Sequence, residues 1–306
     1  NTTASNNTAV GHAALNLNTT GAGNTAVGQG SLDANTTGVS SVAAGTNALG
    51  ANTTGGGNNA VGANALLNNT TGDNVNAMGY AALQANTTGD DNNGFGNYAL
   101  GSVTTGASNT AVGRSALYTC TTGAFNTAIG QNAGYQLTTS SNNTFLGRDS
   151  GYNCTTGSNN VTLGKDAGAE AAMLNITTES NRLVLGNNSI TNAYVKVSIA
   201  VTSDQRDKTD IVDIGSDRGI SFVNQLRPVS FYYNESRDAP TTKVGPKKYG
   251  FLAQEVLALE GSDNVIIDNE FEESLKYQGE ALVPVLVKAL QELSAKVAEL
   301  EARVGD

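Results

Sequence analysis

The chain contains no tryptophan and very little cysteine, histidine or proline. Its 306 residues include two cysteines, one histidine (His12) and four prolines, and all four prolines lie after residue 202. Two thiols and one imidazole cannot supply the four ligands of a structural zinc site, so we expect no metal and no cofactor. No run of about 18 apolar residues occurs, so we expect no membrane insertion.

Charged residues are scarce and unevenly spread. The formal net charge is −10, which argues against a nucleic-acid partner because phosphate binding relies on Lys and Arg. Residues 1–202 hold 8 acidic and 5 basic residues, whereas residues 203–306 hold 19 and 12. We therefore expect two unlike regions that meet near residue 202. The first residue is not methionine, so we also expect the chain to start inside a longer polypeptide.

Within the first region, a glycine recurs every 17 residues. The residue before each glycine is apolar, the third residue after it is Ala or Ser, and a Thr-Thr pair follows later in the period. The fourth residue after the glycine is Leu in seven consecutive repeats and Gly in the next three. An eleventh glycine follows the tenth after 22 residues. The glycines are Gly11, Gly28, Gly45, Gly62, Gly79, Gly96, Gly113, Gly130, Gly147, Gly164 and Gly186.

A period that keeps its phase over ten repeats indicates stacked coils of one structural unit. Seventeen residues are too few for a helix pair but suit one coil of a β-solenoid, with two or three short strands joined at Gly and Asn corners. We expect Val, Ile and Leu to stack in register and form the core, with Ala and Gly close to the axis. Because such a core is thin, we also expect burial against sister chains in a homo-oligomer of closed symmetry.

Five asparagines share one phase of the repeat, and each begins the triplet N-T-T. They are Asn18, Asn35, Asn52, Asn69 and Asn86. A glycan site and an ion ladder are two interpretations. We favour a third, in which the amides form a ladder from coil to coil and satisfy backbone groups at the corners.

The two cysteines, Cys120 and Cys154, occupy that same phase two coils apart. Stacking at the strand spacing would separate them by about 9–10 Å, which exceeds the Cα separation of a disulfide. We therefore expect no intrachain bridge and interpret both cysteines as small apolar residues of the interior.

After residue 202 the sequence has the mixed composition of an ordinary globular domain. SDRGISFVNQL predicts a helix with Ser216 as its N-cap, and VSFYYN predicts a strand. The segment around Pro240 and Pro246 predicts a loop, YGFLAQEVLAL a second helix, and NVIIDN a short strand.

The last part of the chain carries a heptad pattern that predicts a coiled coil over residues 281–304, approximately. A helix packed only on its own domain is the alternative, but residues 291–306 have little else to bury the seam. Lys296 and Glu301 have the spacing of an interchain g–e′ ion pair. The seam consists of Val283, Leu286, Leu290, Leu293, Val297, Leu300 and Val304.

The expected fold class is therefore mainly β. Residues 1–186 form a parallel β-solenoid of 17-residue repeats, residues 187–202 a β connector, and residues 203–306 a small α+β domain ending in the coiled coil.

Three segments, SDQRDK, YGFLAQEV and YQGEALVPVLVKALQEL, resemble the peptidase S74 intramolecular chaperone found at the C-terminus of phage tailspikes and endosialidases. The repeats are similar to the head repeats of trimeric autotransporter adhesins and to repeats of phage tail fibres. The family motif is S-D-x-R-L-K, whose Ser and Lys form a self-cleavage dyad. The resemblance implies Ser203 and Lys208 as that dyad, with Asp204 and Arg206 as supporting positions. Asp207 stands where the family has Leu.

The chemistry of this dyad follows from the residue types. A serine hydroxyl needs a base to take its proton, and no histidine lies in this half of the chain. Lysine serves as base when desolvation lowers its pKa. Ser203 could attack the carbonyl of Thr202 or its own carbonyl before Asp204, so the cut lies at or beside these three residues. Taken alone, a Ser and a Lys five residues apart also fit a solvated linker.

The resemblance implies a structural tail fibre or spike segment of a virion, with a C-terminal domain that trimerises the chain, templates its folding and cleaves itself once. The expected partners are two further copies of the chain and, outside the particle, a host receptor or glycan. A bacterial trimeric surface adhesin with the same modules is the alternative, located at the bacterial cell surface. A glycan-cleaving tailspike fits less well, because the repeats place no pair of carboxylates at a recurring phase.

Overall fold

The computed structural model describes residues 3–170, 174–187, 189–190, 205–234, 243–262, 265–269 and 275–304. The chain divides into two compact units, Asn1–Ile190 and Thr191–Asp306. Each unit is described by itself.

The first unit is a parallel β-solenoid, as expected. Ten strands of three residues each follow one another at the period of the repeat, and each pairs in parallel with the next at matching phase, as Thr8 with Thr25. The strands are β1 (Thr8–Val10), β2 (Thr25–Val27), β3 (Val42–Ala44), β4 (Asn59–Val61), β5 (Asn76–Met78), β6 (Asn93–Phe95), β7 (Thr110–Val112), β8 (Thr127–Ile129), β9 (Thr144–Leu146) and β10 (Val161–Leu163).

The longer last step contains a short antiparallel hairpin. Strands β11 (Ala169–Glu170) and β12 (Leu174–Asn175) form it, and β13 (Leu183–Leu185) then pairs in parallel with β10. The sheet therefore has eleven strands in chain order apart from this hairpin. The five additional residues leave the stacking of the main sheet intact.

The expectation of two or three strands per coil was wrong, because each coil contributes one strand to this sheet and turns form the rest. The reason lies in the backbone. In one coil Asn47 and Leu49 have φ values of 55° and 52°, and the same left-handed conformation recurs at these phases in other coils. Strands require negative φ, so this side of the coil cannot extend into a regular strand.

The composition of the core also differs from the expectation. Successive residues of a strand point to opposite faces, and here the central Ala points inward while the apolar residue before the repeat glycine points outward. Ala60 is fully buried, for example, whereas Val61 is exposed. The interior is filled instead by the central Ala, by the Leu four residues after the glycine, such as Leu66, and by the Ala one residue earlier.

The repeat glycine is required by a close approach between coils. Gly62 has φ +132°, and a Cβ atom placed on it would lie 2.5 Å from the carbonyl oxygen of Gly79. The same conflict recurs at this phase along the solenoid. Any side chain here would push neighbouring coils apart and break the parallel pairing.

The change from Leu to Gly at positions 134 and 151 is explained by Phe145, whereas a Cβ on the third glycine, Gly168, would meet Thr162 and Ile176. Phe145 takes the central strand position that Ala holds in most coils, and its ring is fully buried. Gly134 and Gly151 flank it, and a Cβ on either would lie 2.5 or 2.3 Å from ring carbons. The ring of Phe145 thus fills the interior space that leucines from the opposite side of the coil fill in other repeats.

The asparagine ladder is present as expected. Asn52 donates from Nδ2 to Oδ1 of Asn35 at 2.9 Å and to the carbonyl of Gly55 at 2.9 Å, and its own Oδ1 accepts from Asn69. All five side chains are buried, so these positions are not accessible as glycan acceptors in the folded chain. The ladder ends where Val103 replaces asparagine, and Oδ1 of Asn86 has no hydrogen-bond partner among the described residues.

The second unit is a small α+β domain. A 3₁₀ turn spans Gln205–Asp207, and a second spans Ser216–Arg218. Its regular elements are α1 (Ile220–Val223), β14 (Val229–Asn234), β15 (Lys243–Gly250), α2 (Ala253–Glu260), β16 (Ile267–Asp268), β17 (Lys276–Tyr277) and, after a 3₁₀ turn at Gly279–Ala281, α3 (Leu282–Val304). The strand pairs β14–β15 and β16–β17 are antiparallel.

Three local predictions for this unit need correction. Gly215, not Ser216, is the residue before the first helical turn, and Gly219 separates that turn from α1. Pro246 lies in β15 rather than in a loop, next to the register shift between the two strands, where a missing N–H is tolerated. Tyr249 and Gly250 end that strand, so α2 begins only at Ala253.

We predict that Asn52→Ala lowers the free energy of unfolding by about 2–4 kcal/mol, because it leaves the buried Oδ1 of Asn35 and the Gly55 carbonyl without donors. Denaturant titration measures this loss. The matched control is Asn59→Ala, since Asn59 donates to Asn76 in a ladder that faces solvent, and we expect a loss below about 1 kcal/mol. Equal losses in both variants would contradict a stabilising role of the buried ladder.

Candidate functional site

The predicted dyad lies at the start of the second unit. Ser203, together with Thr202 and Asp204, falls outside the described residues. Arg206 lies in the first 3₁₀ turn, and the backbone N–H of Lys208 donates to the carbonyl of Gln205 at 3.2 Å. Both Arg206 and Lys208 are exposed in the single chain.

Downstream of this turn, a buried carboxylate organises the domain. The side chain of Glu260, at the end of α2, accepts hydrogen bonds from the backbone N–H groups of Val265, Ile266 and Ile267 at 2.7 to 3.0 Å. Ile266 and Ile267 are buried in the core between α1, α2 and α3. The carboxylate thus fixes the chain that follows α2 and brings two isoleucines into that core.

Arg218 completes the end of the same helix. Its guanidinium donates to the carbonyls of Leu259 and Glu260 at 3.3 and 2.7 Å and lies over the ring of Phe222, 5.2 Å from the centroid. The last carbonyls of a helix lack intrahelical donors, so this arginine supplies them and interacts favourably with the helix dipole. Sequence reasoning missed both Arg218 and Glu260, because their partners lie far along the chain or on the backbone.

The helix α3 presents two different faces. Leu282, Val285 and Ala289 are buried, and Oε2 of Glu292 accepts the N–H of Ile220 at 2.9 Å, which ties α3 to α1. The predicted heptad seam lies elsewhere on the helix, and its residues are 39% to 86% exposed in the single chain. The alternative of a helix packed only on its own domain therefore accounts for one face and leaves the seam uncovered.

The solenoid has an exposed apolar column of its own. We call it the strand column, and it consists of the exposed third residue of eight of the ten strands: Val10, Val27, Val61, Met78, Phe95, Val112, Ile129 and Leu146. These residues are 38% to 58% exposed. In β3 this position holds Ala44 and in β10 Leu163, and both are half-buried. None of the strands β1 to β10 contains Asp, Glu, Lys or Arg. A continuous apolar and uncharged stripe of this kind is typical of a protein–protein contact.

A second surface feature, which sequence reasoning missed, is a column of tyrosines. Tyr80, Tyr98, Tyr118, Tyr135 and Tyr152 lie on five successive coils with ring centroids 5.1 to 6.1 Å apart. The first three contact edge to face, and the last three are stacked. Three of them share one phase of the repeat, and this was the available signal in the sequence.

The cysteines carry no chemistry in the folded chain. Both are free and buried, as expected, and burial raises the pKa of each thiol to about 11. The thiols are therefore protonated at neutral pH and unreactive. No group of His, Cys, Asp and Glu within the described ranges could hold a metal ion. None of the described helices combines the length and the apolar character needed to cross a membrane.

Comparison with known families gives a match to part of the second unit. Residues 203–265 match the model of the peptidase S74 family, described as the chaperone of endosialidase. The resemblance seen in SDQRDK and YGFLAQEV is thereby confirmed for this segment. No curated protein and no solved structure matches the chain.

We predict that Glu260→Ala destabilises the second unit by about 3 kcal/mol or more, because three backbone N–H groups lose one shared acceptor. Amide hydrogen exchange of Ile266 and Ile267 measures the effect locally. The control is Glu255→Ala, which removes an exposed partner of Arg227 and should change little. Wild-type protection of both amides in Glu260→Ala would contradict the role assigned to this carboxylate.

Proposed function

We propose, from the match of residues 203–265 to the endosialidase chaperone family, that this chain is a segment of a viral tail fibre or spike. Its solenoid, residues 1–186, is the fibre shaft. Residues 187–202 connect the shaft to residues 203–306, which trimerise the chain, template its folding and then separate from it by a single self-cleavage. The combination of a β-solenoid and this chaperone supports the proposal.

The observation that carries the proposal is that each unit leaves an apolar stripe uncovered. The strand column runs along the solenoid, and the heptad seam runs along α3. Both stripes repeat regularly, which suits contact with an identical copy in the same register. A seam of Val and Leu at a and d positions predicts a coiled coil but does not by itself select three strands over two. Three copies is the state that the chaperone match supports.

The strand column lacks charge, and this favours identical partners. In a parallel oligomer around an axis, each residue near the axis meets its own copies. A charged residue there would face like charges, which costs several kcal/mol. The uncharged strands β1 to β10 avoid this penalty along the whole shaft.

Templating solves a register problem that the repeats create. Coils that differ little can pair with the wrong coil of another chain, shifted by one or more whole repeats. The core of the second unit does not repeat along the chain, so it sets the register in which the α3 seams of three chains meet before the solenoids associate. Cleavage then removes the route by which the shaft would unfold, and the fibre gains kinetic stability.

In the proposed cleavage, neutral Lys208 takes the hydroxyl proton of Ser203 as its Oγ attacks a neighbouring carbonyl carbon. The C–N bond of that peptide breaks, and the departing nitrogen receives the proton from Lys208. Water then hydrolyses the ester. Arg206 and Asp204 are the supporting positions of the motif. Lys208 is exposed in one copy, so we assign its desolvation to burial between copies, which makes cleavage depend on assembly.

Host attachment is the function we assign to the assembled shaft, with a host receptor or glycan as the external partner. A bacterial trimeric adhesin is the second candidate, favoured by the similarity of the repeats to adhesin heads. The sequence upstream of residue 1 separates the two, since a secretion signal or membrane anchor marks the adhesin and a virion-attachment domain the fibre.

We predict that the wild-type chain yields a fragment corresponding to residues 203–306 on denaturing electrophoresis, and that Ser203→Ala and Lys208→Ala do not. Lys247→Ala is the control, because this exposed lysine lies outside the motif and should leave cleavage unchanged. Asp207→Leu restores the family pattern and removes a carboxylate beside the base, so it should cleave faster. A wild-type trimer that stays whole would contradict the self-cleavage.

We predict that Ile129→Lys prevents formation of the trimer, because three lysines would meet at the strand column. Sedimentation analysis of the Ser203→Ala background, which keeps the chain whole, measures the mass. Thr122→Lys places the same charge on an exposed site of a neighbouring phase and should remain trimeric. A trimer of normal mass and stability in Ile129→Lys would contradict a contact at this column.

A further inference from the structure

The tyrosine column has an open end. The ring of Tyr152 stacks on Tyr135 with centroids 5.1 Å apart and planes 4° from parallel. On the next coil the same phase holds Ala169, whose carbonyl accepts a hydrogen bond from Nδ2 of Asn153 at 3.1 Å. Alanine has no atom beyond Cβ, so no ring of the next coil covers the second face of Tyr152.

This end of the column opens into a shallow depression of about 460 Å³, which lies within the size range of small-ligand sites. Polar groups surround the tyrosine ring there. Nδ2 of Asn132 donates to Oδ1 of Asp149 at 2.9 Å, and Nδ2 of Asn153 donates to Oδ1 of Asn175 at 2.8 Å. The lining residues are Asn132, Asp149, Tyr152, Asn153, Asp166 and Ala169.

We propose that this depression binds an uncharged hexose unit of a glycan. The C–H face of a sugar ring packs on the electron-rich face of an aromatic ring, and here Tyr152 offers that face. Carboxylates and amides at the rim accept and donate the hydrogen bonds that hydroxyl groups need. Apolar area with a few oriented polar groups is the usual composition of a ligand site.

The charges of the site favour a neutral ligand over an acidic one. Asp149 is paired with Arg148 at 3.1 Å, and Asp166 is paired with Lys165. The two carboxylates are thus compensated locally, and no cationic side chain is left in excess to hold an anion. Residues 1–202 hold 8 acidic and 5 basic residues, so the region that carries the depression offers no excess of positive charge to an acidic glycan.

The same charges argue against a second copy of the chain as the occupant. In a parallel trimer, contact between copies at this phase would place Asp149, Asp166, Arg148 and Lys165 near their own counterparts. The strand column carries no such charges. The inference rests on the proposed function in one respect, because the depression must face outward from the assembled trimer.

The test is binding of neutral gluco-, galacto- and manno-oligosaccharides to the assembled Ser203→Ala trimer. A glycan array finds the sugar, and calorimetry measures its affinity. Loss of one stacking ring weakens binding by about tenfold. We expect Tyr152→Ala to show this loss, and Ala169→Tyr to abolish binding because a further ring would cover Tyr152. Tyr152→Phe keeps the ring, and Tyr80→Ala removes the ring at the far end of the column, so both should bind within about threefold of wild type.

The outcomes separate this proposal from the proposed function. Trimer mass and melting temperature are recorded for every variant, so loss of binding by an intact trimer concerns the depression alone. Absence of binding to all neutral oligosaccharides would overturn the proposal, as would equal losses in Tyr80→Ala and Tyr152→Ala. Loss of the trimer in Tyr152→Ala would show that copies of the chain meet at the tyrosine column. If Ala169→Tyr does not fold, the contrast between Tyr152→Ala and Tyr152→Phe decides.

Discussion

The close parallel stacking of one coil on the next is the constraint on which the solenoid depends. The approach is so tight that a Cβ on Gly62 would lie 2.5 Å from the next glycine carbonyl, and the amide of Asn52 bonds upward and downward at the same time. Both interactions need the same residue type at the same phase of the neighbouring coil. The repeat in the sequence therefore follows from the contact between coils. A single-residue insertion within a coil would disrupt both the glycine contacts and the asparagine ladder. The longer step before Gly186 is tolerated because its additional residues leave the sheet as a hairpin and return in register.

Because the coils stack in register, a residue type that recurs at one surface phase of the repeat forms a stripe along the solenoid. A single exposed valine needs no explanation, but the same valine on successive coils becomes an apolar band along the whole shaft. Each stripe of recurring surface residues must therefore either be covered by another protein surface or be polar enough to remain in water. We propose that the uncharged strands and the exposed heptad seam meet this condition by contact with copies of the same chain. Charged residues lie at other phases, such as that of Arg148, and in this proposal they face outward.

The sequence predicted the period, the parallel solenoid, the asparagine ladder, the free cysteines and the terminal helix, because each depends on spacing alone. It did not predict which apolar column is buried. Val61 and Leu66 are equally apolar, and only the three-residue strand, with its central Ala60 pointing inward, determines that the valine faces out. The role of Phe145 was likewise hidden, since its replacement of two leucines requires that Gly134 and Gly151 lie on either side of its ring. In the second unit the contacts of Glu260 are to backbone groups, which leave no pattern in the side chains.

The exposure of Lys208 in the single chain is the reason why we propose that self-cleavage depends on assembly. In the proposed mechanism a lysine acts as the base only when it is desolvated, so we infer that cleavage depends on burial of Lys208 between copies. In the proposed trimer, burial between copies removes water from the amine of Lys208. This burial occurs only after three chains have assembled. In this proposal, assembly of the trimer both completes the folding template and activates the self-cleavage that removes it. Chains that do not assemble therefore remain uncleaved. In the sequence Asp207 stands next to Lys208 where the family motif has leucine, and we therefore infer that this chain cleaves more slowly than one with leucine at that position.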